Sequence, residues 1–336
     1  MSSSNKSNYS YRVLIPDVLN NDADIEKNVF GTNAKIILGK AKLHSDIKNH
    51  VWKNCDAVLA WDTIDYNENL ISKLQACKVI VRVGVGYDNV DLVAAKKNNI
   101  VVCNVPDYGT EEVADHAIAL FLSLNRGLQE YSQSIKDKNW IRSHTTIMRL
   151  TKKVMGIIGL GRIGLATALR AVSFGMKIIF YDPYLPDGYD KALNFKRVDT
   201  LNEIAEESDV ISIHTPLTEE TYKMINKKFL RHVKKKPIIL NTARGPIIDL
   251  PSLENSMREN KVKAAGLDVL PVEPSDDSQQ LIVDYENNEE WLKGRLIVTP
   301  HVAFYSPESF KEMRRKAAEE AMRVLNGENP RNPLSI

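Results

Sequence analysis

Cysteine is scarce in this chain: three in 336 residues, at positions 55, 77 and 103. An odd, scattered set beside apolar neighbours builds neither a disulfide framework nor a thiolate metal centre, and reads as buried reduced thiols. Charge of one sign is lacking too. The 45 basic and 43 acidic side chains nearly cancel, to a net charge of +2, which gives no footing for nucleic acid or a membrane surface as partner. No apolar run is long enough to span a bilayer. The polar start, Met1 to Ser10, has no apolar segment of the secretory kind and reads as a disordered tail. No nucleophile motif appears, and no His/Cys/Asp/Glu spacing suggests a metal site. These absences together point to a soluble cytoplasmic protein. What remains is ordinary globular composition, 43% hydrophobic and 26% charged, with a length that suggests two domains.

One stretch organises the rest. An apolar run, Val154 to Ile158, leads into Gly159-Leu-Gly161-Arg-Ile-Gly164. A helical pattern, Leu165 to Phe174, follows, and a second apolar run, Lys177 to Tyr181, ends on Asp182. Strand, glycine turn, helix, strand and acid is the order of a dinucleotide site. Gly159 permits the tight turn, Gly161 lets the backbone approach a pyrophosphate, and Gly164 lets helix and strand pack closely. The helix N-terminus offers unpaired N–H groups to the phosphates. Asp182 can accept from the adenosine ribose hydroxyls and would repel a 2′-phosphate, so NAD(H) is expected over NADP(H). A structural glycine turn is the alternative.

Upstream, the β-branched runs Tyr11–Ile15, Lys35–Leu38, Asp56–Ala60, Lys78–Arg82 and Ile100–Cys103 alternate with helical patterns, which argues for parallel βαβ units. The fourth run enters Val83-Gly84-Val85-Gly86, where freed backbone N–H groups could cradle a substrate carboxylate; a plain βα turn is the other reading. Val105 to Gly109 contains two breakers and should end the first domain. Thr110 then caps a long amphipathic helix. Trp140 and Ile141 suit a subunit contact or a local core contact equally. Downstream strands are expected at Val210–His214, Pro237–Asn241, Ala264–Asp268 and Leu296–Thr299, making six in the second domain. The basic run Lys234–Lys236 reads as a solvated helix end, with a binding patch as the alternative, and Ser275 to Arg295 as an exposed insertion. A last helix, Pro307 to Leu325, is expected to return to the first domain.

The unusual polar residues sort to one place. Asp182, His214-Thr215-Pro216, Asn241-Thr242-Ala-Arg244-Gly245, Asp268 with Glu273, and His301 all lie past the carboxyl ends of successive strands, the rim where open parallel sheets bind ligands. Three of them suit hydride transfer between a 2-hydroxy acid and a nicotinamide. Arg244 offers a planar fork for carboxylate and keto oxygen. His301 can donate or accept the proton, and Glu273 can bond the far ring nitrogen and fix its tautomer.

On these motifs, together with Val83–Asn89, Thr110–Arg126, Gly266-Leu-Asp-Val269 and Thr299-Pro-His301, the chain resembles the D-isomer-specific 2-hydroxyacid dehydrogenases over nearly its whole length. It is most similar to the C-terminal binding protein branch, through Cys103–Pro106, Tyr181–Leu185, Asn241–Gly245 and His301–Ser306. The resemblance implies an α/β fold of two Rossmann-like domains with doubly wound parallel sheets. The first is discontinuous, a flavodoxin-like substrate domain at 1–105 and 305–336. The second, 106–304, is the NAD-binding domain with a dimerisation helix. It implies a catalytic triad of Arg244, Glu273 and His301, and NAD contacts at Arg162, Ile163, Asp182, Pro216, Thr242 and Asp268; Thr110 and Thr215 complete the cofactor set. Substrate contacts are expected at Gly84, Val85, Arg244 and Phe304, and a homodimer through the cofactor domains. Phe304 stands where animal members of that branch carry Trp, and Val85 where phosphite dehydrogenases carry Lys, which counts against phosphite. The expected activity interconverts a small 2-keto acid and its D-2-hydroxy acid. The alternative is an NAD(H)-sensing corepressor-like scaffold.

Overall fold

The computed structural model describes residues 9–17, 22–140, 142 and 147–335. Most of the expected N-terminal tail, and Ile141 of the expected contact, lie outside the described residues. The chain divides into two compact units. One holds the described residues through Gly109 and again from Ser306 onward; the other is Thr110–Tyr305. The divisions fall a few residues after 105/106 and one after 304/305.

In the first unit, five strands form one parallel sheet: β1 Tyr11–Asp17, β2 Ala34–Ala41, β3 Ala57–Ala60, β4 Val79–Arg82 and β5 Val101–Cys103, in the order β2-β1-β3-β4-β5. That is the flavodoxin-like doubly wound order. The interior strands β3 and β4 are buried along their whole length, as strands in a covered parallel sheet should be. The helix Pro307–Leu325 closes this unit by burying Met313, Ala317, Ala318, Ala321 and Leu325. Its Arg314 is buried and forks onto Glu26, with Nε 2.8 Å from Oε1 and Nη2 2.6 Å from Oε2. Fork geometry satisfies both charges, without which their burial would cost several kcal/mol. The three cysteines are free and buried. Burial, then Glu320 beside it, pushes the Cys103 thiol up to about 12, so it stays protonated.

In the second unit, seven parallel strands run β12-β11-β10-β9-β6-β7-β8. They are β6 Val154–Ile158, β7 Lys177–Tyr181, β8 Lys196–Arg197, β9 Val210–Ile213, β10 Ile238–Asn241, β11 Ala264–Leu267 and β12 Leu296–Val298. The expected six strands are joined by β8, a two-residue edge strand too short and polar to leave an apolar signal. From β6 the chain first winds outward through β7, then crosses to β9 on β6's other side, so the topological switch lies between β6 and β9. The helix Thr110–Arg126 buries Ala114, Ala117, Ile118 and Phe121 against the helix Arg162–Ser173 and the sheet. Each buried Ile or Phe contributes roughly 1.5–3 kcal/mol.

The segment 275–295 is not an exposed insertion throughout. It contains the helix Gln280–Glu286, and Leu281, Ile282 and Leu292 belong to the core. Trp291 stacks under the Arg258 guanidinium at 4.0 Å and donates its Nε1–H to Asp284 at 3.1 Å. Among the described residues, no helix is long and apolar enough to cross a membrane.

Candidate active site

The glycine turn after β6 is built by contact. Gly159 sits at φ 86°, a left-handed value that costs most side chains energy. A Cβ there would lie 2.8 Å from Thr215 Cγ2 and 2.9 Å from His214 O, so the turn packs on the loop after β9. A Cβ on Gly164 would lie 2.0 Å from Gly159 O. Gly161 differs: it is exposed, caps the helix Arg162–Ser173, and a Cβ on it would meet nothing within 4 Å. Protein packing therefore requires glycine at 159 and 164 but not at 161. The open space faces a helix N-terminus, whose unpaired N–H groups favour an anion.

Asp182 follows β7 and is half-buried. Its Oδ2 accepts from Leu160 N at 2.9 Å and its Oδ1 from Tyr184 N at 3.0 Å. Since a carboxylate accepts about four bonds, capacity remains for ribose hydroxyls. Arg197 on β8 lies alongside, but its Nη2 donates to the carbonyls of Asp182 at 2.8 Å and Leu185 at 3.0 Å. Further along the rim, the buried Oγ1 atoms of Thr215 and Thr242 have no hydrogen-bond partner among the described residues. Buried hydroxyls are nearly always paired, so each is an acceptor or donor awaiting a partner. Pro216 and Arg162 are exposed, Ile163 is half-buried, and Thr110 opens its helix. Open space over Gly161, a half-used carboxylate and two orphaned hydroxyls fit a dinucleotide.

Past β11 and β12 the two residues expected to handle the proton meet. His301 Nδ1 lies 2.7 Å from Glu273 Oε2, and Glu273 Oε1 accepts from Leu270 N at 2.7 Å. The carboxylate thus fixes the Nδ1–H tautomer, and among the described residues nothing hydrogen-bonds Nε2. His301 adopts φ 52°, a strained value of the kind functional residues tolerate when their surroundings hold them. Asp268 supplies the hold. It is buried, accepts from Thr299 Oγ1 at 2.6 Å, Val302 N at 3.0 Å and Ala303 N at 2.9 Å, and its own carbonyl receives His301 N at 2.8 Å. The residue expected at the cofactor is first of all the anchor of the His301 loop. Phe304 meets the His301 ring edge to face at 6.4 Å.

Arg244 follows β10. Asn241 Nδ2 donates to Arg244 O at 2.9 Å, and Arg244 Nη1 donates to Ala243 O at 2.8 Å. A Cβ on Gly245 would fall 1.9 Å from the Leu270 carbonyl carbon, so the Arg244 loop is pressed against the loop carrying Glu273. Gly84 and Val85 belong to the first unit. There Asn104 Nδ2 donates to Val85 O at 2.7 Å, and the Arg82 guanidinium fills the space where a Gly84 side chain would start, 2.5 Å away.

Two residues escaped the sequence reading, and a third, His214, was placed at the rim without a role. His116, on the helix Thr110–Arg126, sits 3.0 Å from Thr299 Oγ1 and 3.5 Å from Asp268 Oδ1, backing the loop anchor. Since Thr299 donates to Asp268, its oxygen accepts from His116 Nε2. His214 lies 2.8 Å from Ser212 Oγ, and burial drives its pKa down to about 3, keeping it neutral. Arg197 is the second missed residue. His116 and Arg197 act at long sequence separation, which no local pattern reveals.

Residues 118–303 match the family model of the D-isomer specific 2-hydroxyacid dehydrogenase NAD binding domain. A D-3-phosphoglycerate dehydrogenase of Methanocaldococcus jannaschii is 34% identical over 97% of this chain, which spans 59% of that relative's length. A glyoxylate reductase of Korarchaeum cryptofilum is 35% identical over 83% of this chain and 82% of its own. Among solved structures, the D-lactate dehydrogenase of Aquifex aeolicus complexed with NAD and lactic acid superposes with a TM-score of 0.81 at 28% identity, covering 94% of this chain and 96% of that one. With the family model covering more than half its length and its glycine turn and strand-end residues fitting the cofactor, the chain belongs to the D-isomer specific 2-hydroxyacid dehydrogenase family and binds NAD through its second unit.

Proposed function

We propose that this protein is an oxidoreductase interconverting a small 2-keto acid and its D-2-hydroxy acid, with Arg244, Glu273 and His301 as its catalytic residues. The observation that carries this reading is the 2.7 Å contact between His301 and Glu273. Bound NAD(H) supplies or accepts the hydride. In reduction, His301 gives its proton to the keto oxygen from Nε2, while Nδ1–H stays on Glu273. In oxidation, neutral Nε2 takes the hydroxyl proton back. The Arg244 fork holds the substrate carboxylate and polarises the keto group. Thr242 and Thr215 offer their unpartnered hydroxyls to the cofactor, with Gly159, Gly161, Arg162, Ile163, Gly164, Pro216 and Thr110. Asp182 takes the ribose, and Asp268 acts through the loop it anchors.

Gly84, Val85 and Phe304 remain candidates for substrate contact. A glyoxylate reductase and a D-lactate dehydrogenase among the similar proteins make glyoxylate and pyruvate the first 2-keto acids to try. A homodimer through the second unit is also inferred, supported by the exposed apolar side chains of Leu128, Ile135, Trp140, Leu169 and Val172. Buried free thiols agree with a reducing, cytoplasmic setting. The corepressor-like scaffold has no observation in its favour that the enzyme lacks. A screen of 2-keto acids followed by NADH absorbance tests the reading: steady, enantioselective turnover of at least one supports it, and NADH binding without turnover of any would return the scaffold.

A further inference from the structure

Because every strand of the second unit runs the same way, its sheet has a second edge, where the strands begin. Lys153 immediately precedes β6 and Asp209 precedes β9. Lys235 and Lys236 stand before β10, Lys263 precedes β11 and Arg295 precedes β12. In sheet order these are five neighbouring strands. Together the six side chains line a cavity of about 340 Å³, at the low end of the roughly 300–1,000 Å³ of small-molecule sites. Five cations there face one carboxylate.

That carboxylate is already engaged. Asp209 Oδ1 lies 3.0 Å from Lys153 Nζ, and Oδ2 accepts from Val154 N at 2.9 Å. Arg295 is fixed by uncharged groups only, donating to the carbonyls of Lys263 at 3.0 Å, Trp291 at 3.2 Å, Met257 at 2.7 Å and Val262 at 3.0 Å. Its charge is held in place and not neutralised. The ammonium groups of Lys236 and Lys263 have no hydrogen-bond or ion-pair partner among the described residues. Burial, and secondarily the charge of Lys153, holds Lys263 below the usual lysine range; burial does the same to Arg295. Gathering like charges in a half-enclosed space costs stability, and an anion would remove that cost. Beside the cavity, Lys234 pairs with Glu206 at 2.6 Å and Lys196 with Glu207 at 2.7 Å. All three lysines of the basic run are exposed, and Lys235 and Lys236 also line the cavity.

We propose that this cavity binds a small phosphate-bearing anion. Point charges converging from several strands suit a dianionic, three-oxygen group better than a planar carboxylate. Orthophosphate and glycerol 3-phosphate, titrated calorimetrically into the full chain at constant ionic strength, with and without saturating NADH, test it. One saturable site that persists with NADH is expected. Lys263→Gln should weaken it by about tenfold or more, the loss of one charge-assisted bond, while Lys234→Gln leaves it unchanged. Without phosphate, Lys263→Gln should raise Tm, since repulsion is relieved; the exposed Lys236→Gln repeats the binding test should the first variant fold poorly. Tighter orthophosphate binding assigns free phosphate, and tighter monoester binding a phosphorylated metabolite. No saturable binding, binding abolished by NADH, or equal affinity in the Lys236→Gln variant would overturn the proposal.

Discussion

At Asp182 one carboxylate separates two cofactors. Its remaining acceptor capacity suits a 2′-hydroxyl, and its charge opposes a 2′-phosphate. The nearby Arg197 cannot offset this while its guanidinium is bound to main-chain carbonyls. Wild-type enzyme should show a higher kcat/KM with NADH than with NADPH, and Asp182→Ser should narrow the ratio by about tenfold, the worth of a charged hydrogen bond. Equal kcat/KM with both cofactors in the wild type would remove Asp182 from this role. Arg244 should behave in another way. Arg244→Ala takes away a contact made with the substrate, so KM for the keto acid should rise as kcat falls. NADH affinity, read by fluorescence titration, should not change; a parallel loss of NADH binding would move Arg244 to the cofactor.

The strand–turn–helix element that begins at β6 separates two uses of glycine. Gly164→Ala drives a Cβ into Gly159 O at a spacing of 2.0 Å, so Tm should fall along with cofactor binding. Gly161→Ala adds a methyl to open space, so Tm should hold while NADH affinity falls by tenfold or more. A matching Tm loss in both variants would mean that Gly161 serves packing. Much of this element was legible in the sequence because its signals are local: apolar runs, glycine spacing and a terminal acid. β8 was not, since two polar residues pairing on one side leave no pattern. The helix Gln280–Glu286 was hidden by acidic neighbours that outnumber Leu281, Ile282 and Leu292. Asp268 was placed at the rim correctly, but its hold on residues 299–303 depends on pairings more than thirty residues apart. Of the amino-edge cations the sequence shows only the run holding Lys235 and Lys236, because the other strands contribute one each and the fold alone gathers them.

For the molecule as a whole, acid stability has a named contributor. His214 is neutral in the native state, with its pKa driven to about 3 by burial, while in the unfolded chain it titrates near 6.5. Between those values the unfolded chain binds the extra proton, so native stability falls as pH drops through that window and is untouched at pH 7. Carboxylates contribute in the same range, so the comparison must be with a variant. His214→Gln, which can keep a bond to Ser212, should lose less Tm than wild type between pH 7 and pH 4.5. Equal losses would show that the ring is protonated without cost in the native state.

The most direct test of the account is the rate of NADH oxidation with a turned-over 2-keto acid in wild type, Glu273→Gln and His301→Ala. His301→Ala removes the proton donor and should lower kcat by about two to four orders of magnitude. Glu273→Gln should do less harm, since the amide oxygen can still accept from Nδ1–H. NADH affinity should survive both changes. Full activity in His301→Ala would contradict the mechanism.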